Sequence, residues 1–504
     1  MEASLSVAHQ DPRSVPCRDK RRKECDALLS VTTDGAKNAS LFECDTSPFR
    51  NVQLLSLIWP ADRVVMGMRV CKQLHDNLAR HARSVVLCRG NADEALNSAS
   101  EFQIFRDVTR FERQSVHVEI RAPSCSPAAL GDTLKAISML GIATHRGAKW
   151  SGHIVHLDLS NGGIDARAAV LLCKVLPKCK NIQHLNLSGC SLGKVVGGKL
   201  AKKLGACTAL THLDLSHNQI GAAGMGALGE ALGGSTSLKL LNVSKNPAGS
   251  KGVQALCKSL RHCQGLTHLN LAYNRAGTTA CAAVTSVLAA CSALTHVQLE
   301  GNALGPSGAH CLAAVLGDCR ALTDLGLARN NVRDQGAGAL ARGLASSTSV
   351  KVLDLSHNSI GAKGAAELAG ALGGWRALSH LNLAGNKLGD DWAWRLGGVI
   401  GGCRELTHVD LSDSNMGDEG VAWLAGVMRE CQALRSLNLA RNRIRGGGAE
   451  ALVGALRTCS TLQRLDLTHN RLQQRAVRRL ARARARANTS TLLLLEGEEA
   501  GAEE

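Results

Sequence analysis

Histidine, aspartate and serine recur together along this chain at spacings that invite a chemical reading. His156, His184, His212, His268, His296, His380 and His408 all fall on one period, the step from 156 to 184, and Asp, Asn or Gln stands two places after each of them. If successive members sit on neighbouring strands about 4.8 Å apart, His156, His184 and His212 form an imidazole ladder. Such a ladder could hold a metal ion or serve as a proton switch, since charging its members together sets them against one another. The plainer reading is a polar filler of one exposed slot. Ser, His and Asp also stand side by side in the segments that begin at His156, His212 and His408, which imitates a nucleophilic triad. A working triad needs a base aimed at one nucleophile, an orienting acid and an oxyanion pocket that excludes water, and an open repeated surface provides none of these. The chain carries no phosphate loop, no paired-cysteine zinc pattern and no metalloprotease helix motif. It therefore reads as a non-enzyme without a cofactor.

The elements that must position these residues follow from a repeated frame. LTHLDLSHNQI at 210–220 reads Leu-x-x-Leu-x-Leu-x-x-Asn-x-Ile, and the frame returns on that same period from Ile154 to Leu462, twelve times without insertion. A fixed period of this size marks a solenoid, whose units bury their apolar faces only by stacking. The fourth and sixth residues of the frame point the same way along a strand. They run Leu157, Leu185, Leu213 to Leu465 and Leu159, Leu187, Leu215 to Leu467, always Leu or Val. Each such side chain contributes roughly 1.5–3 kcal/mol once buried. The ninth residue is Asn in nine units, suited to a turn whose backbone groups need both a donor and an acceptor. A glycine-marked turn and a helical stretch follow, as in 221–234, where Leu228 and Leu232 share a face.

This unit resembles the leucine-rich repeat, in the ribonuclease-inhibitor-like subtype with the phrase LxxLxLxxNxIGxxGxxxLxxxL, over about two thirds of the chain. The resemblance implies an α/β solenoid, or horseshoe, of twelve 28-residue strand-turn-helix units with capping elements at both ends. Its parallel strands would line the concave face and its helices the convex one. Gly162, Cys190 and Ser414 depart from the Asn, and Cys190 is a familiar substitute in this subtype.

The chain has 504 residues and a net charge of +17, which makes acidic partners plausible, although arginines spread over helical faces give the same sum. Eight of its nineteen cysteines (Cys179, Cys207, Cys263, Cys291, Cys319, Cys403, Cys431 and Cys459) share the slot just before a new frame. A residue recurring once per turn of a solenoid is a packing residue, so unpaired thiols in a reducing compartment are expected. No segment resembles a signal peptide or a membrane helix. The expectation is a cytoplasmic protein, with the nucleus open to it through the basic run at 19–25, whose simpler reading is a solvated charge cluster.

Residues 1–48 lack periodicity and read as a disordered basic tail. In 49–90, Trp59, Pro60, Asp62, Val70, Cys71 and Leu74 resemble the later half of an F-box, in which they would bind a ubiquitin-ligase adaptor; a helical cap on the solenoid is the alternative. Residues 91–150 would form an N-terminal cap with irregular repeats, and strands at 84–88 and 116–121 with a helix at 127–140 read as degenerate repeats closing that end of the solenoid. The repeat domain spans 151–489. Residues 471–487 are arginine-rich, and one more frame from Ser490 would make 491–495 a capping strand within a final segment, 490–504, that ends in an acidic tail. The glutamates lie near enough to neutralise some of the arginines, which argues against nucleic acid.

A concave sheet of small polar side chains suits a protein partner, and binding energy there concentrates in a few large residues. The candidates are His156, His184, His212, Leu240, Lys245, Tyr273, His296, Glu300, Arg329, Val352, His380, His408, Asp413 and Arg441, with Trp394 offering a second, convex site. The leading expectation is a non-enzymatic scaffold that grips a protein on its inner curve. An F-box-type substrate receptor is the first alternative. A small-GTPase regulator is the second, because Ran GTPase-activating proteins resemble this chain in joining such repeats to acidic residues.

Overall fold

The computed structural model describes residues 154–372, 374–395, 405–428, 433–486 and 491–495, together with Leu134 and the strands at 84–88 and 117–121. Its spine is one sheet of fifteen parallel strands in chain order, from β1 (Ser84–Cys88) and β2 (His117–Arg121) to β15 (Leu492–Leu494). Twelve of them, β3 (Ile154–Asp158) to β14 (Arg464–Asp466), carry the repeated frame. They pair in strict register, with His184 opposite His212 and Leu213 opposite Leu241, so one period in sequence is one strand in space.

Sequential parallel order requires each chain segment to cross over the same face before it rejoins the sheet, and helices fill these crossovers. Typical ones run Gly221–Leu232 and Gly249–Leu260, packed side by side. Gly221 and Gly249 enter them with φ of +72° and +67°, a left-handed conformation that glycine adopts without strain. Leu228 and Leu232 face inward as their spacing requires. Every member of the two apolar strand columns is buried between sheet and helices, none more than 3% exposed.

The asparagines form a second, polar spine. Asn218 is fully buried; its amide donates to the carbonyls of Leu187 at 2.6 Å and Leu215 at 3.0 Å, and its oxygen accepts from the N–H of Leu192 at 3.3 Å. Its own N–H donates to the side chain of Asn246, its counterpart in the next repeat, at 3.1 Å. One amide per turn thus satisfies backbone groups that the short strands leave outside the sheet ladder. Cys190 retains the donor half, its thiol pointing to the Leu159 carbonyl at 3.1 Å. Ser414 is too short to reach the preceding turn and donates to Ser412 at 3.2 Å.

The recurrent cysteine slot has the same logic. Cys207, Cys263 and Cys291 each point a thiol at a carbonyl of the preceding repeat, Leu176, Leu232 and Leu260 respectively, at 3.2–3.4 Å. The described cysteines are free thiols. Burial pushes Cys179 up to about 12 and Cys207 to about 11, so both stay protonated at neutral pH.

Candidate functional site

The third residue of each frame stands on the open face of the sheet, opposite the core, and the histidines there stack. Ring centroids of His184 and His212 lie 4.1 Å apart at 18°, those of His268 and His296 4.1 Å apart at 11°, and those of His380 and His408 4.2 Å apart at 7°. His156 extends the first stack at 5.4 Å. The column as a whole therefore holds three separate stacks, because Leu240, Asp324 and Val352 interrupt it.

A hydroxyl fixes most of these rings. Thr211 donates its proton to the Gln183 carbonyl at 2.9 Å, so toward Nδ1 of His212, 2.8 Å away, it can only accept. Nδ1 must then carry a hydrogen, which leaves Nε2 as the site that gains or loses a proton. Thr267, Thr295, Ser379 and Thr407 repeat the arrangement beside His268, His296, His380 and His408. Desolvation is the largest influence lowering the pKa of His212, His268 and His408; the neighbouring imidazoles add to it, while Asp324 opposes it at His268. Among the described residues no group of three or more His, Cys, Asp or Glu could hold a metal ion. Nearly parallel rings about 4 Å apart send their lone pairs out side by side, whereas a metal needs them to converge.

The fifth column explains itself. Asp214 accepts from the N–H of Ser216 at 2.8 Å with one oxygen and from the amide of Asn242 at 2.8 Å with the other. Asp354 with Asn382, and Asp410 with Asn438, repeat this at 3.2 and 3.0 Å. The alternation of Asp and Asn is thus a structural ladder, and these carboxylates are committed to it. Gln298 and Gly326 break it together: Gln298 reaches Asp324 at 2.6 Å through space that a side chain at 326 would fill.

The remaining candidates gather on a rim at the strand ends. Lys245, Tyr273, Arg329, Asp413 and Arg441 all occupy the eighth frame position, with φ between +51° and +58°. Glu300 holds the position just before it, in its own repeat. Four of these residues form a connected group across consecutive repeats. The Tyr273 hydroxyl donates to Glu300 at 2.5 Å, Arg329 lies 3.6 Å from the same carboxylate, and the Lys245 ammonium sits 5.7 Å from the Tyr273 ring centre. Asp413 and Arg441 stand farther along the rim, both exposed. Glycine at the eighth position of the next repeat makes room for a large neighbour: Gly301 takes the Tyr273 ring and Gly385 the His357 ring. The sequence does carry a signal for this contact, a glycine one repeat after a bulky residue, but periodicity of the apolar frame does not expose it.

Leu240 and Val352 lie half-buried on the open face. On the helical side Trp394 is 51% exposed beneath Arg395, whose guanidinium lies 4.7 Å from the ring, and Trp423 in the next repeat is 53% exposed. The F-box-like residues Trp59, Pro60, Asp62, Val70, Cys71 and Leu74 fall outside the described residues. No helix among the described residues is long and apolar enough to cross a membrane.

Eight windows, 206–229, 234–257, 290–313, 318–341, 346–369, 402–425, 430–453 and 458–481, match the Leucine Rich repeat family, and each opens at the same point just ahead of a frame start. No curated protein matches the chain significantly. Among solved structures, a leucine-rich repeat protein of Leptospira interrogans is similar at 16% identity, covering 82% of this chain and 97% of that one with a TM-score of 0.44. An internalin of Listeria monocytogenes shares 16% identity over 71% of this chain and 93% of its own, with a TM-score of 0.38. A chain of the yeast Rad7 and Elc1 complex shares 17% identity over 79% of this chain and 92% of its own, with a TM-score of 0.46. The family match and the strand order together make the fold a leucine-rich repeat solenoid.

Proposed function

We propose that this leucine-rich repeat protein is a non-enzymatic scaffold that holds another protein against the open face of its sheet and the adjoining rim. The observation that carries the reading is the group Lys245, Tyr273, Glu300 and Arg329. It joins an aromatic ring, an arginine and a paired carboxylate across four repeats, beside the open face of the sheet. Tyr and Arg are the residue types in which interface energy concentrates. The group is held in place before any partner arrives, since Glu300 ties both Tyr273 and Arg329, which lowers the entropy lost on binding. Helices of twelve residues, as at Gly221–Leu232 and Gly249–Leu260, support the ribonuclease-inhibitor-like subtype.

Affinity capture from the protein's own cells tests this. The Tyr273→Ala and Arg329→Ala double variant should keep its circular dichroism spectrum and lose a protein that the unaltered chain retains. Equal recovery of that protein by both chains would remove the group from the binding surface.

A further inference from the structure

The three histidine stacks have a geometry that the scaffold reading alone does not use. In each pair the rings are nearly parallel and 4.1–4.2 Å apart. Beside five of these six rings, all but His184, a hydroxyl keeps Nδ1 occupied, which leaves Nε2 as the position free to meet a ligand on the open face. When both are protonated, a pair presents two parallel N–H donors, much as the guanidinium of arginine does. The two oxygens of a carboxylate, about 2.2 Å apart, span such a pair with each hydrogen bond inclined by about 20°, well within good geometry.

The spacing of the stacks bears on the ligand. From the His184/His212 pair to the His268/His296 pair is three strand steps, and from there to the His380/His408 pair is four. At about 4.8 Å per step these are about 14 and 19 Å, which an extended peptide covers in about four and six residues. Both numbers are even, so one face of a single extended strand could meet all three pairs.

We infer that the histidine stacks are proton-gated forks for the carboxylates of an extended acidic peptide lying across the strands. The inference rests on the scaffold reading and names the chemistry of its partner. The charged groups around the forks agree with it. His212 feels His156, His184, His268 and Lys239; His268 feels His296 and Asp324; His408 feels His380 and Arg435. Cations dominate that set, and the neighbouring Asp214 and Asp410 are already bound to Asn242 and Asn438. Without a ligand the stacked imidazoles resist charging together. A carboxylate laid across a pair removes that resistance, so docking and proton uptake occur as one event.

The test uses the full chain and a fluorescently labelled peptide of Gly and Ser, about twelve residues long, with Glu at positions 1, 5 and 11. Glutamate stays ionised well above its usual pKa of about 4.3, so lowering the pH from about 7.5 to about 6.0 changes the protein rather than the probe. Binding should tighten about ten-fold over that interval, with proton uptake visible as a buffer-dependent heat in calorimetry. The triple variant His212→Asn, His268→Asn and His408→Asn should lose that increment while melting normally, because the same slot already accepts Leu240, Val352 and Ser436. A peptide with Glu at 1, 4 and 11, whose second glutamate faces away, should bind more weakly. Affinity independent of pH, or an increment that survives in the triple variant, would overturn the inference. Displacement by inorganic phosphate with no preference between the peptides would overturn the choice of a peptide carboxylate. The Tyr273 and Arg329 capture result is read separately, so either conclusion can fail alone.

Discussion

Replacing Asn330 by Ala should cost far more than an average substitution, and the structure shows where the cost arises. Asn330 is fully buried. Its amide donates to the carbonyls of Leu299, Leu327 and Ala328 at 2.9, 3.0 and 3.1 Å. Each of those carbonyls has a second donor: the Asn302 amide, the Asn358 amide and the Gly301 N–H, respectively. They survive the loss. The Asn330 oxygen, however, accepts from the N–H groups of Asn302 at 3.0 Å and Leu304 at 3.4 Å, and Ala leaves both buried without that acceptor. An orphaned buried donor costs about 1–3 kcal/mol, and the second bond here is long, so the sum is about 3–4 kcal/mol. Urea unfolding followed by circular dichroism should show the midpoint fall with an unchanged slope. The converse change, Ser414→Asn, should restore the spine where the natural chain interrupts it and raise stability by about 1 kcal/mol. A loss under about 1 kcal/mol for Asn330→Ala would refute the view that side-chain amides complete the backbone bonding of this solenoid.

Other consequences follow from the same contacts. His212, His268 and His408 have pKa values below the ordinary 6.5, so the unfolded chain binds protons more readily. Stability should be complete above that pH and decline as pH falls through it toward the folded values; thermal midpoints at about pH 7.5 and about pH 5.0 would show this, and the triple His→Asn variant should flatten the difference. Gly301→Ala places a side chain at φ +65° and against the Tyr273 ring, with about 1–2 kcal/mol from the backbone alone. Tyr273→Ala should relieve only the overlap, and a double-mutant cycle in urea would report no coupling if the ring did not lie there. Cys179 and Cys207 should react with a thiol reagent only on unfolding; prompt labelling of either in the native protein would contradict their burial. Deleting 55–78 should abolish co-purification of a ubiquitin-ligase adaptor if those residues work as an F-box, and an adaptor never recovered with the intact chain removes that reading.

Much of the fold could be read from the sequence because a solenoid makes local pattern and global packing the same thing. Leu213 is buried because Leu185 and Leu241 are, and the period already places them on adjacent strands. The Asn column is likewise visible, although the bonds its members make to the turns before and after them emerge only when those turns are laid side by side. The site is less legible. Lys245, Tyr273, Arg329, Asp413 and Arg441 stand out by size and charge, but their left-handed backbone puts them on the rim and not on the sheet face. Side-chain reach decides the rest. Tyr273 finds Glu300 rather than solvent, Gln298 finds Asp324 only because residue 326 is glycine, and Asp214 is consumed by Asn242. Periodicity specifies which column a residue joins, not which neighbour its side chain turns toward.

The most direct measurement replaces Tyr273 by a photo-crosslinking phenylalanine analogue in the full chain, expressed in its own cells, with the same analogue at Trp394 on the helical side for comparison. A surface whose work is to hold another protein should give a discrete, light-dependent adduct from position 273 whose mass exceeds that of the chain alone. Adducts confined to position 394, or a probe at 273 that joins only its own chain, would contradict the account.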